Sequence, residues 1–279
     1  MQVALAELTP VPGSPEKNVA RAADLLRAVP TDLLVLPELF LSGYRIGDRL
    51  HTLAFDRATL SDSPLAKAAD ATGRSAVVGA PLKSATRAGE VENAAVLFQP
   101  GGRVDVQVKR YLPTYGPFEE GSVFTPTDTS RAVELAGHPV GLEICYDAFF
   151  PEVSRDLALS GAVLLIAISA GPVTSRRLFE KVLPARAVEN ALPLVYVNRV
   201  GVEDGLVFGG GSNAWDARGE PVPLAPVDVP GLGPRESVRV GEIDLGDAPR
   251  WRPFRPVLRD RAERPGDDAA RGPPRAWRT

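Results

Sequence analysis

Hydrophobic residues follow two alternating patterns along the first 200 residues of the chain. Continuous apolar runs of strand length occur at residues 2–8, DLLVLPE (32–38), SAVVGA (75–80), GAVLLIAIS (161–169) and PLVYVNRV (193–200), as expected for strands that are covered on both faces. Between them, apolar residues recur at helical spacing in segments 14–29, 63–73, 151–160 and 176–190. Strands that alternate with helices predict a layered α/β fold.

A β-hairpin is predicted within this alternation. Residues 91–98 and 103–110 both have strand character, and QPGG (99–102) between them has the residues of a turn. Further short strands are expected after residue 205, so the sheets should be mixed rather than purely parallel. Pro184, inside the segment 176–190, predicts a kink or a late start of that helix.

The domain organisation is predicted to be simple. Residues 1–260 show no sequence repeat, and no internal linker divides them into two cores. We therefore expect them to form one domain. Residues 261–279 are charged, rich in proline and poor in aliphatic side chains. This tail is expected to be disordered or to lie over a partner subunit.

Composition and charge disfavour several classes of function. A net charge of -3 gives no basic surplus for nucleic acid or an anionic membrane, and the longest apolar run, AVLLIAI (162–168), is too short to span a bilayer. The single cysteine and two histidines argue against an internal disulfide, a zinc cluster or any other metal site, and no cofactor is indicated. No signal peptide is apparent, so a reducing cytoplasm is expected.

Three chemically useful side chains stand where predicted strands end. Glu38 follows DLLVLP, Lys109 follows RVDVQV, and Cys145 follows VGLEI. If these strands are parallel, the three side chains should share one edge of the sheet. A thiol needs a base and a nearby cation to act as a nucleophile at neutral pH, and a carboxylate and a lysine supply them. Taken singly, the three residues are more typical of a helix cap, a strand-edge lysine and a buried core thiol.

Three longer segments surround these residues. LPELFLSGY (36–44), KRYLPTYGPFEEG (109–121) and GLEICYDAFFPE (141–152) resemble the signature segments of the nitrilase superfamily, the carbon–nitrogen hydrolases. The resemblance extends over roughly residues 1–260, and three separate motifs in the right order make it specific. It implies a four-layer αββα sandwich with mixed sheets.

The resemblance also implies roles for five residues. Glu38 would be the general base, Lys109 the cation beside the oxyanion, and Cys145 the nucleophile. The additional glutamate of the family falls at Glu120, where it would orient Lys109, and the backbone N–H of Tyr146 would be the second oxyanion donor. Members of the family usually pair through helix surfaces, so a homodimer or a higher even homo-oligomer is expected.

The reaction implied is hydrolysis of a small amide to a carboxylic acid and ammonia through a thioester. A nitrilase that acts on a small nitrile is an alternative, as is a glutaminase-type subunit that supplies ammonia, because KRYLPTYGPFEEG (109–121) and VNRVGVEDGLVFGGGS (197–212) also look like the glutaminase domain of NAD synthetases. A catalytically idle scaffold or interaction protein on the same fold is the alternative from another class.

Substrate contacts are harder to assign from sequence. The candidates are Tyr44, Tyr115, Phe118, Phe149 and Ser169. No arginine follows Cys145, where relatives that cleave N-carbamoyl amino acids often grip a carboxylate. Arg176, Arg177 and Arg199 are the other candidates for such a clamp, although each is more typical of a solvated or helix-paired arginine. Glu143 should lie on the same face of its strand as Cys145, with no assigned role.

Overall fold

The computed structural model describes residues 1–262, so most of the predicted tail (263–279) lies outside the described residues. Its strands are β1 (Gln2–Glu7), β2 (Leu33–Val35), β3 (Ser75–Lys83), β4 (Val91–Gln99), β5 (Arg103–Val108), β6 (Val133–Leu135), β7 (His138–Ile144), β8 (Leu164–Ser169), β9 (Leu194–Asn198), β10 (Val200–Glu203), β11 (Leu206–Gly209), β12 (Asn213–Trp215), β13 (Ala225–Val227) and β14 (Ser237–Glu242). Its helices are α1 (Pro15–Ala28), α2 (Leu50–Leu53), α3 (Pro64–Thr72), α4 (Pro151–Leu159), α5 (Arg176–Asn190), α6 (Asp247–Trp251) and α7 (Val257–Ala262).

Two mixed sheets dominate the architecture. The first has the strand order β13-β14-β1-β2-β3-β4-β5. Its central strands β1, β2 and β3 are parallel to one another. β4 is antiparallel to β3 and to β5, and β14 is antiparallel to β1 and to β13. The second has the order β12-β9-β8-β7-β6, with β7, β8 and β9 parallel. β10 and β11 form a separate hairpin. The mixed sheets and the hairpin predicted near residue 100 are therefore confirmed.

The period-2 alternation of side chains explains the layering. Along β1, Ala4 and Ala6 belong to the apolar cluster under α1 and α3, whereas Val3 and Leu5 belong to the cluster between the two sheets. A third cluster lies between the second sheet and helices α4 and α5. The order is therefore helices, sheet, sheet, helices, which confirms the predicted αββα sandwich.

Local differences from the sequence-based expectations have simple causes. The strand predicted at 32–38 is regular only over Leu33–Val35, because Pro37 has no N–H to donate and the chain turns away. Helix α5 starts at Arg176 with Pro184 inside it, so the late start is wrong. Among residues 1–262, no helix is both long and apolar enough to cross a bilayer, and no cluster of His, Cys, Asp or Glu side chains is arranged to hold a metal ion.

The expectation that three strand ends share one edge needs correction. Glu38 and Lys109 follow β2 and β5 of the first sheet, whereas Cys145 follows β7 of the second. The residues meet across the interface between the sheets, because the inner faces of both sheets pack against each other. The sequence pattern identifies strand ends but does not say which sheet a strand joins.

Candidate active site

Glu38 is held where the chain leaves β2 and passes over β3. Its side chain is fully buried, and the following Leu39 has a φ of 48°. A Cβ atom placed on Gly79 of β3 would lie 2.2 Å from the Leu39 nitrogen and 2.5 Å from the Glu38 Cα. The turn that carries Glu38 therefore requires a glycine at position 79, a contribution that the sequence analysis missed.

Lys109 directly follows β5 and lies between two carboxylates. Its Nζ donates to Glu38 Oε1 at 2.7 Å and to Glu120 Oε1 at 2.8 Å, and the side chain is fully buried. Burial by itself lowers the pKa of Lys109, but the attraction of Glu120 and Glu38 outweighs it and raises that pKa above its usual value. Lys109 is therefore a cation at every physiological pH.

Glu120 lies in the short 3-10 turn Glu120–Ser122 and completes this buried cluster. Its Oε1 also accepts a 2.5 Å hydrogen bond from the Tyr44 hydroxyl, whereas the neighbouring Glu119 is exposed. Burial, the largest influence, raises the pKa of Glu120, and Lys109 opposes that rise. Of the two neighbouring glutamates, Glu120 is therefore the one in contact with Lys109.

Asn93 of β4 is a second member that sequence reasoning missed. Its Nδ2 donates to Glu38 Oε1 at 2.7 Å and lies 3.5 Å from Glu120 Oε2, and the residue is fully buried. An amide side chain within the largely apolar run VENAAVLF was the available signal, because a buried amide needs partners. Asn93 fixes both carboxylates from the side of the first sheet.

Cys145 occupies the first position of the 3-10 turn Cys145–Phe149, directly after β7. Its φ of 49° is in the left-handed region, which a side chain with a Cβ rarely adopts, so the turn is strained. Such strain persists only where the surrounding structure enforces it. The left-handed residue turns the chain out of the line of β7, and Cys145 is half-buried there.

Asp147 and Arg186 enforce this turn from two sides. The buried carboxylate of Asp147 accepts the backbone N–H groups of Arg110 (3.1 Å), Tyr111 (2.8 Å) and Ile144 (3.3 Å), which ties the segment after Lys109 to the turn after β7. Arg186 of α5 donates from Nε to the carbonyl oxygen of Ala148 at 2.8 Å. The turn is thus fixed to both sheets and to the outer helix layer.

The surroundings of Cys145 keep its thiol protonated at rest. Burial, followed by the negative charge of Glu38, raises its pKa well above the usual value, and Lys109 and the Ser169 hydroxyl counteract this in part. A thiol in this environment needs a nearby base to take its proton before it can attack an electrophile.

Aromatic rings cluster around the cysteine turn. Tyr115 contacts Phe118 at 5.6 Å and Tyr146 at 5.4 Å between ring centroids, and Tyr146 contacts Phe149 at 6.0 Å. Tyr44 contacts Phe118 at 6.4 Å, so the candidates form a continuous series of rings. A cavity of about 410 Å³, large enough for a small ligand, opens beside Tyr44 and Glu120.

The three candidate arginines lie in different settings. Arg176 and Arg177 are exposed on α5, and Arg176 pairs with Glu180 at 3.0 Å. Arg199 is fully buried, donates to Glu203 at 2.6 Å and lies 3.9 Å above the ring of Phe208. Arg199 is thus buried and already paired, whereas Arg176 and Arg177 lie at the surface.

Glu143 of β7 lies two residues before Cys145, on the face of the sheet that α4 and α5 cover. Both carboxylate oxygens are buried without a hydrogen-bond partner among residues 1–262, and Ser154, Arg186 and Glu189 are its polar neighbours. Burial raises the pKa of Glu143 to about 7. The arrangement places Glu143 beside the residue that braces the cysteine turn, Arg186.

Comparisons with known proteins agree with this geometry. The family model for carbon-nitrogen hydrolases matches residues 2–253. An (R)-stereoselective amidase from Pseudomonas sp. is 34% identical over 94% of this chain and 91% of its own length, and a nitrilase from Pyrococcus abyssi is 32% identical over 88% and 90%. The glutamine-dependent NAD(+) synthetase of Thermotoga maritima is 37% identical, but the match covers 79% of this chain and 39% of the synthetase.

A solved structure extends the likeness to three dimensions. The NitN amidase from Nesterenkonia sp. AN1 superposes with a TM-score of 0.74 at 30% identity, covering 94% of this chain and 97% of that one. The family model spans most of the residues that form the two sheets, and the strand ends it includes carry the buried cluster around Lys109 and Cys145. The chain belongs to the carbon-nitrogen hydrolase family.

Proposed function

We propose that the protein hydrolyses a small linear amide to a carboxylic acid and ammonia through a thioester on Cys145. The observation that carries this proposal is the buried Glu38–Lys109–Glu120 cluster beside a strained cysteine turn. Burying a lysine between two carboxylates carries a desolvation cost, and a fixed cation next to a nucleophile serves acyl transfer.

Glu38 is the proposed base. Its Oε1 accepts from Lys109 and Asn93, and its Oε2 accepts from the Ala170 backbone N–H at 2.7 Å. A carboxylate offers about four lone-pair positions, so one remains on Oε2 for a proton. When the Cys145 sulphur bonds to the amide carbon, its thiol proton passes to that position.

The negative charge that develops on the amide oxygen needs donors that are already in place. Lys109 Nζ and the backbone N–H of Tyr146, the residue after the nucleophile, are the proposed pair. As the tetrahedral intermediate collapses, the carbon–nitrogen bond breaks, Glu38 returns its proton to the nitrogen, and ammonia leaves. The acyl group stays on Cys145 as a thioester.

Deacylation reverses the same steps with water. Glu38 takes a proton from water as the oxygen bonds to the thioester carbon, and the carbon–sulphur bond then breaks. The sulphur recovers the proton from Glu38, and the acid is released. Glu120 keeps Lys109 charged and oriented throughout, since it contributes the second of the two ion pairs at Nζ.

The rings around the site favour a neutral, apolar acyl group. Tyr115, Phe118, Tyr146 and Phe149 present ring faces and edges, and the nearby Arg199 is already paired with Glu203. A cysteine-to-alanine variant of the related Nesterenkonia amidase has been crystallised in complex with butyramide, a neutral aliphatic amide. We therefore expect aliphatic and aromatic amides to be better substrates than glutamine or N-carbamoyl amino acids.

A screen of ammonia release tests this function. Purified protein is incubated with butyramide, phenylacetamide, glutamine, an N-carbamoyl amino acid and the nitriles that match the first two. Release from neutral amides that disappears in Cys145→Ala supports the proposal. Release from nitriles alone would favour a nitrilase, like the Pyrococcus relative, and release from glutamine alone a glutaminase. No release from any compound would favour an idle scaffold.

We also propose that two copies pair through helices α4 and α5. The support is a set of large apolar side chains exposed there, namely Leu159 (46% exposed), Leu178 (52%) and Val188 (37%). Light scattering coupled to gel filtration should give the mass of a dimer or of a larger even oligomer, and Leu178→Glu should lower it. A monomeric wild-type protein would refute the pairing.

A further inference from the structure

Two buried hydroxyl groups lie on β8 and β9, the two strands that follow β7 in the order of the second sheet. Ile144, the last residue of β7, pairs with Ile168 in the parallel register of β7 and β8, so the next residues, Cys145 and Ser169, follow a bonded pair at the ends of two neighbouring strands. Tyr196 of β9 pairs with Ala167, two residues before Ser169. Residues two apart share a face of the sheet, so Ser169 and Tyr196 are diagonal neighbours there.

Both hydroxyl groups are buried without a hydrogen-bond partner in the described part of the chain. Ser169 is 0% exposed and Tyr196 2% exposed, and neither hydroxyl oxygen has a hydrogen-bond partner within 3.5 Å among the residues that the structure describes. Buried polar groups without partners are uncommon because they are costly, and those that persist often serve a function. The Ser169 hydroxyl lowers the pKa of both the Cys145 thiol and the Tyr196 phenol, so it favours the charged form of each group.

The number of hydroxyl protons determines which group donates and which accepts in the proposed hydrogen bonds. Each hydroxyl has one proton to donate, and a sulphur that becomes a thiolate is an acceptor. If Tyr196 donates to the Ser169 oxygen, the Ser169 proton is free to point at the sulphur. The ring of Tyr196 is held for this by stacking on Phe179 of α5, with 5.1 Å between ring centroids.

We propose that Ser169 is a further catalytic residue that donates a hydrogen bond to the Cys145 sulphur, and that Tyr196 is a positioning residue that donates to Ser169. This inference rests on the proposed function, in which Cys145 is the nucleophile. The thiolate is present at two moments, when Glu38 takes the thiol proton and when the thioester breaks. The hydroxyl of Ser169 stabilises the sulphur at both, and no covalent bond to either hydroxyl forms.

The test follows alkylation of Cys145 by iodoacetamide as a function of pH, which needs no amide substrate. A hydrogen bond to a charged acceptor is strong enough that its loss in Ser169→Ala should slow alkylation on the order of tenfold at a fixed pH and move the profile to higher pH. Tyr196→Phe keeps the ring and its stacking, and should slow alkylation by a few-fold. Because Tyr196 acts through Ser169, the double variant should react like Ser169→Ala alone.

Controls separate this from damage to the fold. Ser154→Ala removes another buried serine hydroxyl, on α4, and should leave the profile unchanged. Profiles of Ser169→Ala and Tyr196→Phe that superimpose on wild type would overturn the proposal, as would a Tyr196→Phe effect that persists without Ser169. If Ser169→Ala does not fold, Tyr196→Phe alone decides, since an unchanged profile overturns the proposal. Absence of amidase activity with these shifts intact would refute the proposed function instead.

Discussion

Replacing Glu120 by glutamine removes one negative charge from the cluster around Lys109 and changes little else in shape. Glu120 Oε1 lies 2.8 Å from Lys109 Nζ, where two unit charges attract by about 6 kcal/mol at an effective dielectric constant of about 20. Glutamine keeps a carbonyl acceptor there, so part of this is retained. We expect a net loss of about 3–4 kcal/mol, similar to the cost of removing one partner of a buried ion pair.

The loss should appear in the transition state, because Lys109 has to be charged and directed at the oxyanion. Each 1.4 kcal/mol corresponds to a factor of ten, so kcat for amide hydrolysis should fall about 10²- to 10³-fold while KM changes little. Steady-state ammonia release gives both constants. Glu119→Gln is the matched control, since Glu119 is the exposed neighbour, and should retain wild-type rates.

Two outcomes would refute this reasoning. If Glu120→Gln retained kcat within about twofold, Glu120 would have no role in positioning Lys109, because a loss near 3 kcal/mol cannot be hidden in that range. If Glu119→Gln lost as much as Glu120→Gln, the effect would come from the loop and not from the ion pair. Thermal unfolding of both variants shows whether either loss reflects unfolding.

Two further predictions concern the supports of the site. Gly79→Ala places a Cβ against the backbone of Glu38 and Leu39, and should lower the free energy of unfolding in denaturant by at least about 2 kcal/mol. The control is Gly233→Ala, whose new Cβ would have its nearest neighbouring atom 3.3 Å away and should leave stability unchanged. Equal stabilities of the two variants would contradict the close approach at Gly79. Glu143 has a pKa raised by burial to about 7, so it is protonated when folded but ionised when unfolded between about pH 4.5 and 7, and stability falls as pH rises through that window. The stability of Glu143→Gln relative to wild type should therefore increase by on the order of 2–3 kcal/mol as pH rises from about 5 to about 8. If the difference in melting temperature between the two proteins stayed constant across that range, Glu143 would not titrate there.

The sequence was sufficient to predict the fold class and most elements. The continuous apolar runs of β1 and β8 carry the information for layers, because burial on both faces dictates that pattern. The ends of β2, β5 and β7 were also visible, since each apolar run stops at a polar residue.

Other features depend on contacts between distant segments and could not be predicted. That Cys145 belongs to the second sheet follows from the packing of the sheets, which no local pattern encodes. The use of Gly79 depends on the passage of Glu38 over β3, and the role of Asn93 on two carboxylates 55 and 27 residues away. The left-handed backbone of Cys145 is likewise enforced by Asp147 and Arg186 from outside the turn.

The most direct test of the account is intact-mass spectrometry of the protein quenched in acid during turnover of butyramide. A thioester mechanism predicts a species heavier by one butyryl group, located by peptide mapping on Cys145 and absent from Cys145→Ala. Hydrolysis of butyramide by Cys145→Ala at the wild-type rate, or an acyl group mapped to another residue, would contradict the central claim that Cys145 is the nucleophile.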